Sequence, residues 1–203
     1  TTGALLHTLD NPNAYGTSTS DQFGRRVAIS DNYAIVSTYD EDDAGGTSSG
    51  KAYIFNVTTG ALLHTLDNPN AYGTSETDQF GMSVAISDNY VIVGARWEDD
   101  AGGNSSGKAY IFDITTGGLV HTYDNPNAYG TSQSDNFGFS VAISDDYVIV
   151  SAYAEQDAGG VNSGKAYIFN VPSTTTNLTA ENYAGIADAA YADAATATIQ
   201  TAG

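Results

Sequence analysis

The chain contains three copies of one 57-residue unit. The copies occupy residues 1–57, 58–114 and 115–171, and they differ from one another at a minority of positions. A unit this short and this polar cannot bury its own apolar face, so it must pack against neighbouring copies. The sequence therefore predicts a repeat array in which each copy contacts the next.

Each unit contains four short runs of residues with high strand propensity. In the second unit the runs are residues 61–66, 83–87, 90–94 and 108–113. Clusters of Asn, Asp, Gly, Pro and Ser separate them, which is typical of strands joined by turns. Four antiparallel strands per unit fit either β-propeller blades or the coils of a β-solenoid. Blades take about 40–60 residues and solenoid coils about 20–30, so the unit length favours an all-β fold built from four-stranded blades.

The central part of each unit carries a recurring set of motifs. In the second unit residues 78–87 contain a Phe-Gly pair, residues 90–95 form the second arm of a hairpin, and residues 107–112 read Gly-Lys-Ala-Tyr-Ile-Phe. The Phe-Gly pair recurs at Phe23-Gly24 and at Phe137-Gly138. Together these motifs resemble the FG-GAP repeat, the blade of integrin alpha-subunit propellers, in its bacterial and viral form. The resemblance implies an extracellular β-propeller that acts in adhesion or assembly, without catalysis.

The resemblance also implies where a blade begins and ends. Blades of that family start near the Phe-Gly strand and end with the Leu-His-Thr strand, so each unit boundary falls inside a blade. Residues 4–9 are then a last strand without its blade, and the third blade, which ends at Val171, lacks a last strand. We expect residues 4–9 to complete either that third blade or a blade of a neighbouring subunit, because open sheet edges favour such pairing. Three blades are also fewer than the roughly 4–8 of closed propellers.

The C-terminal part of the chain differs in composition from the units. Residues 172–177 read as a linker, and residues 178–203 are rich in Ala and Thr and form part of a larger assembly element in our interpretation. The Ala content predicts a helix over residues 184–195, and residues 197–201 have the pattern of a strand. Residues 178–200 resemble a segment of tail-fibre-like and other virion proteins of marine phages. We expect a larger product to continue beyond it, and Thr1, inside a unit and without a Met, indicates a processed or partial product.

The charge of the chain limits its partners. The chain has 24 acidic and 6 basic residues, a net charge of −18, and no cysteine. Nucleic acid and anionic membrane surfaces would be repelled, and disulfides and thiolate metal sites are excluded. No run approaches the roughly 20 apolar residues of a membrane span, so membrane insertion is not expected. The expected partners are the protein itself (by homo-oligomer formation or strand exchange), other surface or virion proteins, and cell-surface glycans.

An acidic loop precedes Ala-Gly-Gly in each unit and is the candidate metal site. Clustered carboxylates beside glycines suit Ca²⁺, which takes oxygen ligands at about 2.3–2.6 Å. Integrin-type propellers carry calcium loops at a comparable place, but the Asp-x-Asp-x-Asp-Gly spacing is missing here and Gln156 removes a charge from the third copy. The alternative is a solvated acidic loop without a metal. The candidate ligands are Asp40, Asp42, Asp43, Glu98, Asp99, Asp100, Glu155 and Asp157.

Aromatic side chains form the candidate binding surface. One tyrosine lies in the Asn-Ala-Tyr-Gly loop of each unit, namely Tyr15, Tyr72 and Tyr129. Exposed rings of this kind stack on sugars, and packing between blades or subunits is the favoured alternative. Trp97 occurs in one copy only, where Asp40 and Ala154 stand in the others, and marks a candidate contact surface.

Three further repeated positions have structural interpretations. The phenylalanines of the Phe-Gly pairs are predicted to lie in the core. The histidines His7, His64 and His121 would lie on different blades, so a shared zinc site is not expected. The lysines Lys51, Lys108 and Lys165 follow the acidic loops, and local ion pairs are expected there. The Gly-Lys pairs lack the upstream glycines and the following helix of a phosphate loop.

The chemistry of the sequence is triplicated, whereas an active site is normally singular. The chain has no cysteine nucleophile and no Ser-His-Asp signature. We therefore expect a non-enzymatic, extracellular structural or adhesive repeat protein, with a virion appendage or tail-fibre-like component for assembly or host attachment as the favoured form. The alternatives are a bacterial secreted or cell-surface adhesin and a calcium-dependent glycan-binding module.

Overall fold

The computed structural model describes residues 3–13, 19–44, 46–70, 74–101, 103–127 and 131–172. All regular secondary structure in this part of the chain is β-strand, as predicted. No helix among these residues is long and apolar enough to cross a membrane. The chain divides after Pro172, and residues 173–203, with the predicted helix and strand at 184–195 and 197–201, lie outside the described residues.

Eleven strands of the described residues form three antiparallel sheets, which we call blades. Blade 1 contains β1 (Arg26–Ile29), β2 (Tyr33–Thr38), β3 (Lys51–Asn56) and β4 (Leu62–Asp67). Blade 2 contains β5 (Phe80–Ile86), β6 (Tyr90–Ala95), β7 (Lys108–Asp113) and β8 (Leu119–Asp124). Blade 3 contains β9 (Phe137–Ile143), β10 (Tyr147–Ala152) and β11 (Lys165–Asn170). Blades 2 and 3 therefore begin with a strand that contains the Phe-Gly pair, whereas β1 begins two residues after Gly24. The two four-stranded blades end with the Leu-His-Thr strand or its Val-His-Thr variant.

The four runs predicted in the second unit correspond to β4, β5, β6 and β7. The largest difference is at β5, which begins at Phe80, three residues before the predicted start. The pairing of β5 with β6 shifts register between Phe80 and Ser83. Gly81 lies in this bulge with a φ of 91°, a backbone conformation that favours glycine. Because the bulge interrupts the regular pairing between Phe80 and Ser83, the start of β5 does not show the alternating pattern by which strands are recognised in a sequence.

The core lies between successive blades. Ile35, Ile54 and Leu66 of blade 1 pack with Phe80 and Val93 of blade 2 in one cluster of buried side chains. A second cluster joins blade 2 to blade 3 through the equivalent positions. The prediction that each copy buries its apolar face against the next is confirmed for these two joints. Phe80 and Phe137 are fully buried, as predicted, whereas Phe23 of blade 1 is only partly buried.

Backbone hydrogen bonds reinforce each joint. At the first joint the amides of Thr77, Gln79 and Phe80 donate to the carbonyls of Thr47, Ser48 and Ser49, at 2.9, 3.3 and 3.0 Å. At the second joint the amides of Ser134, Asn136 and Phe137 donate to the carbonyls of Asn104, Ser105 and Ser106, at 2.9, 3.2 and 2.9 Å. The loop before the third strand of one blade is thus bonded to the entry of the next blade.

A serine hydroxyl completes each joint from a different strand. At the first joint Ser37 of β2 donates to the carbonyl of Gly81 at 2.7 Å. At the second joint Ser83 of β5 donates to the carbonyl of Gly138, also at 2.7 Å. Gly94 stands at the position equivalent to Ser37, and a Cβ there would lie 2.0 Å from the Gly138 oxygen. Each joint therefore has a serine hydroxyl as donor, but the serine comes from β2 at the first joint and from β5 at the second.

Residues 4–9 lie against blade 1 and form no strand within the described structure. The His7 Nε2 atom lies 3.0 Å from the carbonyl oxygen of Thr58, and Leu9 packs with Val36, Tyr53 and Phe55. Blade 3 has only three strands in the described residues, with β11 at its edge. Of the two partners expected for residues 4–9, the third blade of the same chain is therefore not the one found.

Candidate functional site

A buried glutamate lies at the base of each acidic loop. Glu41, Glu98 and Glu155 are all 0% exposed. In each blade the hydroxyl of a tyrosine on the third strand donates to this carboxylate: Tyr53 to Glu41 at 2.7 and 2.8 Å, Tyr110 to Glu98, and Tyr167 to Glu155 at 2.6 and 2.7 Å. Glu98 and Glu155, which we proposed as loop ligands, are therefore bonded to the third strand of their own blades. Their counterpart Glu41 was missed as a candidate, although its 57-residue spacing from Glu98 marks it.

Burial changes the protonation of Glu98 and Glu41. Desolvation raises the pKa of Glu98 to about 8, against the opposing effect of the Tyr110 hydrogen bond. It also raises the pKa of Glu41 above its ordinary range. The Oε2 atom of Glu98 has no hydrogen-bond partner among the described residues. A carboxyl in this state is held largely as the neutral acid near pH 7, which suits a structural contact better than cation binding.

The lysines pair differently in the three blades. Lys51 pairs with Asp67 and Lys108 with Asp124, each across the register of the third and fourth strands. Blade 3 has no fourth strand among the described residues, and the Nζ atom of Lys165 instead lies 2.6 Å from Glu155 Oε1. The expected ion pair with the acidic loop is therefore wrong for the first two blades, because the strand partner across the sheet is closer than the loop.

A second buried acid follows each Asn-Pro-Asn turn. In blade 2 the Oδ2 atom of Asp78 accepts hydrogen bonds from the side-chain amides of Asn68 and Asn70, both at 2.8 Å. The same arrangement recurs at Asp21 and Asp135. Burial raises the pKa of Asp78 to about 7, and the nearby carboxylates of Asp99 and Asp43 add to the effect. These acids were missed by the sequence analysis, although their repeated spacing after Asn-Pro-Asn was visible.

The remaining loop carboxylates bond to nearby amides and hydroxyls. Asp42 and Asp99 accept from the amides of Ser48 and Ser105, at 3.0 and 2.8 Å, and Asp43 accepts from Gly46 at 3.1 Å. Asp157 accepts from Gly159 at 2.6 Å, which lowers the pKa of Asp157. Asp40 accepts from Gln22 at 2.6 Å, and Asp100 from the hydroxyl of Ser132 at 3.5 Å. The carboxylates thus shape the loops.

The metal hypothesis finds no geometric support in the described structure. Among the described residues no group of three or more histidine, aspartate or glutamate side chains is placed to hold a metal ion. Gly45 and Gly102, which belong to the acidic loops of the first two units, lie outside the described residues. Calcium binding at the candidate acids therefore stays a prediction.

Trp97 lies at the rim of a polar cavity of about 540 Å³ in blade 2. Its side chain is 39% exposed, and the Arg96 guanidinium lies 4.4 Å from the ring centre. Glu76, Asp78 and Asp99 contribute carboxylates to the lining. An aromatic ring beside polar groups is suited to a sugar ring, and the assignment of Trp97 to a contact surface stays a prediction. The other three candidates, Tyr15, Tyr72 and Tyr129, lie outside the described residues.

The comparison with protein families agrees with the geometry. The FG-GAP repeat model matches residues 13–55, 70–112 and 127–169, which together make up more than half of the chain. Each match begins at the last residue of an Asn-Pro-Asn turn and extends to the next-to-last residue of the third strand of one blade, so it includes the buried glutamate and its tyrosine partner. A search of curated proteins finds no match. The three matches and the repeated blades show that the chain belongs to the FG-GAP repeat family.

Proposed function

We propose that this protein is a non-catalytic structural or adhesive component of an extracellular assembly, and that the assembly is a virion appendage that acts in assembly or host attachment. The observation that carries the proposal is the use of the same buried glutamate–tyrosine contact in all three blades. Glu98, whose pKa burial raises to about 8, serves this contact and is fully buried. Its partners are further copies of the chain, other surface or virion proteins, and cell-surface glycans.

Repetition argues for an architectural role. Three blades of nearly identical sequence present equivalent surfaces, which suits self-association or weak multivalent binding. A catalytic carboxyl must meet its substrate, whereas Glu41, Glu98 and Glu155 are 0% exposed and bonded to the tyrosine of their own blade. The resemblance of residues 178–200 to virion protein segments supports the virion form over a bacterial secreted or cell-surface adhesin.

Immunogold electron microscopy tests the location. An antibody raised against the 203-residue chain is applied to extracellular particles and to whole cells from the source material. Label on particle appendages is the expected result. Label on the cell envelope would instead support the bacterial adhesin, and label confined to the cell interior would contradict both forms.

The Trp97 cavity favours one second candidate, a glycan-binding module. An array of surface glycans is probed with the chain in calcium and in EDTA, and with the variant Trp97→Ala. Alanine stands at the equivalent position of the third unit, so the variant keeps a residue that a blade already accepts there. Binding that Trp97→Ala abolishes would support this function, and calcium dependence would add the metal. An array without any signal would contradict it.

A further inference from the structure

Blade 3 has an open edge where the first two blades have a fourth strand. β11 is the edge strand of its sheet in the described structure. Its residues alternate between partly buried and exposed, whereas five of the six residues of β3 are buried. The two strands have the same sequence, Lys-Ala-Tyr-Ile-Phe-Asn. The difference in burial therefore comes from what covers the strand.

The outer face of blade 3 exposes side chains that the other blades bury. Ile149 and Ile168 are 40% and 71% exposed. Their counterparts in the first two blades are 0% exposed and pack against the following blade, namely Ile35, Ile54, Ile92 and Ile111. Ser163 is likewise exposed, whereas its counterparts Ser49 and Ser106 are buried and bond to the next blade. In the part of the chain that the structure describes, blade 3 thus has the outgoing half of a joint without a blade on it.

Blade 1 exposes the opposite half of the same joint. Val27 and Ile29 are 66% and 68% exposed, whereas their counterparts Val84 and Ile86 are partly buried against the core between blades 1 and 2. Phe23 is partly buried, whereas its counterpart Phe80 is fully buried. Blade 1 therefore has the face with which the other blades receive their predecessor.

The N-terminal segment has the sequence of the strand that blade 3 lacks. Residues 3–13 are identical to residues 60–70, which contain β4. The segment also lies where the fourth strand of a preceding blade would lie. A Cβ on Gly60 would be 2.8 Å from His7, just as a Cβ on Gly117 would be 2.7 Å from His64 of β4. Leu5 and Leu6 on the segment are 80% and 76% exposed.

We propose that blade 3 of one copy takes residues 4–10 of a second copy as its fourth strand, so that two copies join head to tail through the joint that connects blades within one chain. The pairing of β3 with β4 gives the register: Lys165 opposite Asp10, Ala166 opposite Leu9, and Ile168 opposite His7. Lys165 then leaves Glu155 for Asp10, as Lys51 pairs with Asp67. The strand addition gives backbone hydrogen bonds, and the stacked blades bury Ile149, Ile168, Val27 and Ile29.

The joint is heterologous, because blade 3 of one copy contacts blade 1 of the other and the two surfaces differ. Two copies that join at both ends supply six blades, which falls in the range of about 4–8 blades of closed propellers. The sequence itself favours a second copy as the occupant. Residues 61–67 have the same sequence as residues 4–10, and they already pair in this way with β3.

This inference deepens the proposed structural role and rests on it only in naming the chain as its own partner. The two fail separately. If the chain is found on particle appendages but is monomeric, the joint between copies is wrong and the proposed structural role stands. If the chain forms the joined pair but is confined to the cell interior, the proposed role is wrong and the joint stands.

The test is sedimentation velocity of the 203-residue chain over a range of concentrations. The expected species has twice the mass of the chain and dissociates on dilution. A synthetic peptide of residues 3–13 is expected to compete for β11 and to return the chain to the monomer, and a scrambled peptide of the same composition is the control. A monomer at every concentration, or an oligomer that the peptide leaves intact, would overturn the proposal.

Two variants locate the contact. Asp10→Lys places two lysines opposite each other, and Asp31→Lys, in the exposed turn between β1 and β2, makes the same charge change outside the joint. Gly164→Ala blocks the approach of Phe23, because a Cβ at the equivalent Gly50 would lie 2.0 Å from the Phe80 oxygen. We expect Asp10→Lys and Gly164→Ala to weaken association by about tenfold or more and Asp31→Lys to leave it unchanged. Circular dichroism confirms that each monomer is folded. Equal association of Asp10→Lys and Asp31→Lys would reject the register.

Discussion

Gly50 of blade 1 lies so close to Phe80 of blade 2 that a Cβ on the glycine would be 2.0 Å from the phenylalanine carbonyl oxygen. Gly107 and Phe137 repeat this relationship at the second joint. The φ angles of the two glycines are 84° and 83°, so the backbone also favours glycine. The Gly-Lys pair, which superficially resembles part of a phosphate loop, therefore has a packing role at the joint between blades.

The first prediction concerns this close approach. Gly107→Ala must displace the Phe137 backbone, whose carbonyl oxygen would lie 2.0 Å from the new Cβ, and must adopt a strained φ. Gly164→Ala adopts a similar φ of 74°, but its nearest atom is the Tyr153 carbonyl oxygen of its own blade at 2.9 Å, and no blade follows it in the described structure. We expect Gly164→Ala to cost about 1–2 kcal/mol of unfolding free energy and Gly107→Ala about 2 kcal/mol more. Urea unfolding of both variants at one low protein concentration measures the difference. Equal losses would contradict the role of the joint.

The second prediction concerns pH. The carboxyl of Glu98 ordinarily has a pKa of 4.5, and burial raises it to about 8; for Asp78 the change is from 3.8 to about 7. At a pH between the ordinary and the raised pKa of each group, the folded state still holds a proton that the unfolded state has released. The unfolding free energy therefore falls as the pH rises through this range. We expect unfolding free energy to drop by on the order of 2 kcal/mol between pH 5 and pH 8.5. Urea midpoints across this range provide the measurement.

Glu98→Gln is the matched variant for the pH experiment. Its amide oxygen still accepts the Tyr110 hydroxyl, and the side chain no longer ionises. The pH profile of this variant is expected to be flatter than that of the unmodified chain. If the unfolding free energy of the unmodified chain instead rises from pH 5 to pH 8.5, Glu98 and Asp78 ionise in the folded state with little loss of stability, and the prediction is wrong.

The third prediction concerns the tyrosine partner. Tyr110→Phe removes the hydroxyl that donates to Glu98 and leaves a buried carboxyl without this donor. We expect a loss of about 1–3 kcal/mol, the usual result of an unsatisfied buried polar group. Tyr147→Phe is the control, since Tyr147 is 55% exposed. Thermal and urea unfolding compare the two, and similar small losses would mean that the hydroxyl contributes little.

The fourth prediction concerns calcium. The described loop carboxylates already accept hydrogen bonds from loop amides, such as Ser48 to Asp42 and Ser105 to Asp99. We therefore expect EDTA to leave the melting temperature unchanged. Scanning calorimetry in EDTA, and again after calcium is added back, checks this. A fall of several degrees that calcium reverses would establish a metal at the acidic loops.

The fold could be predicted from the sequence because its signals are local. Turn clusters between β-branched runs placed β4, β6 and β7 within a residue or so, and the unit length selected blades. The bulge at Gly81 could not be read, because it depends on how β5 meets β6. The packing of each blade on the next followed from the shortage of apolar residues in one unit.

The candidate site was harder to predict, because its contacts join distant residues. Glu98 stands in a polar, acidic stretch and was interpreted either as a calcium ligand or as part of a solvated loop, whereas it is buried and accepts a hydrogen bond from Tyr110 on the third strand. The partner of Lys51 is Asp67, sixteen residues away, and is fixed only by strand register. Asp78 was not identified from the sequence, because the two asparagines that bond to it lie ten and eight residues earlier in the chain.

The two serine donors, Ser37 at the first joint and Ser83 at the second, reach equivalent carbonyls from different strands. Each unit carries its own donor, so a chain rebuilt with whole units in another order still brings a hydroxyl to every boundary between them. Exchange of single residues is different, because Arg26 stands in the first unit where the second has Ser83, and glycine at position 37 would leave that unit without a donor. Whole units can therefore be shuffled, whereas piecemeal recombination within a unit breaks the contact.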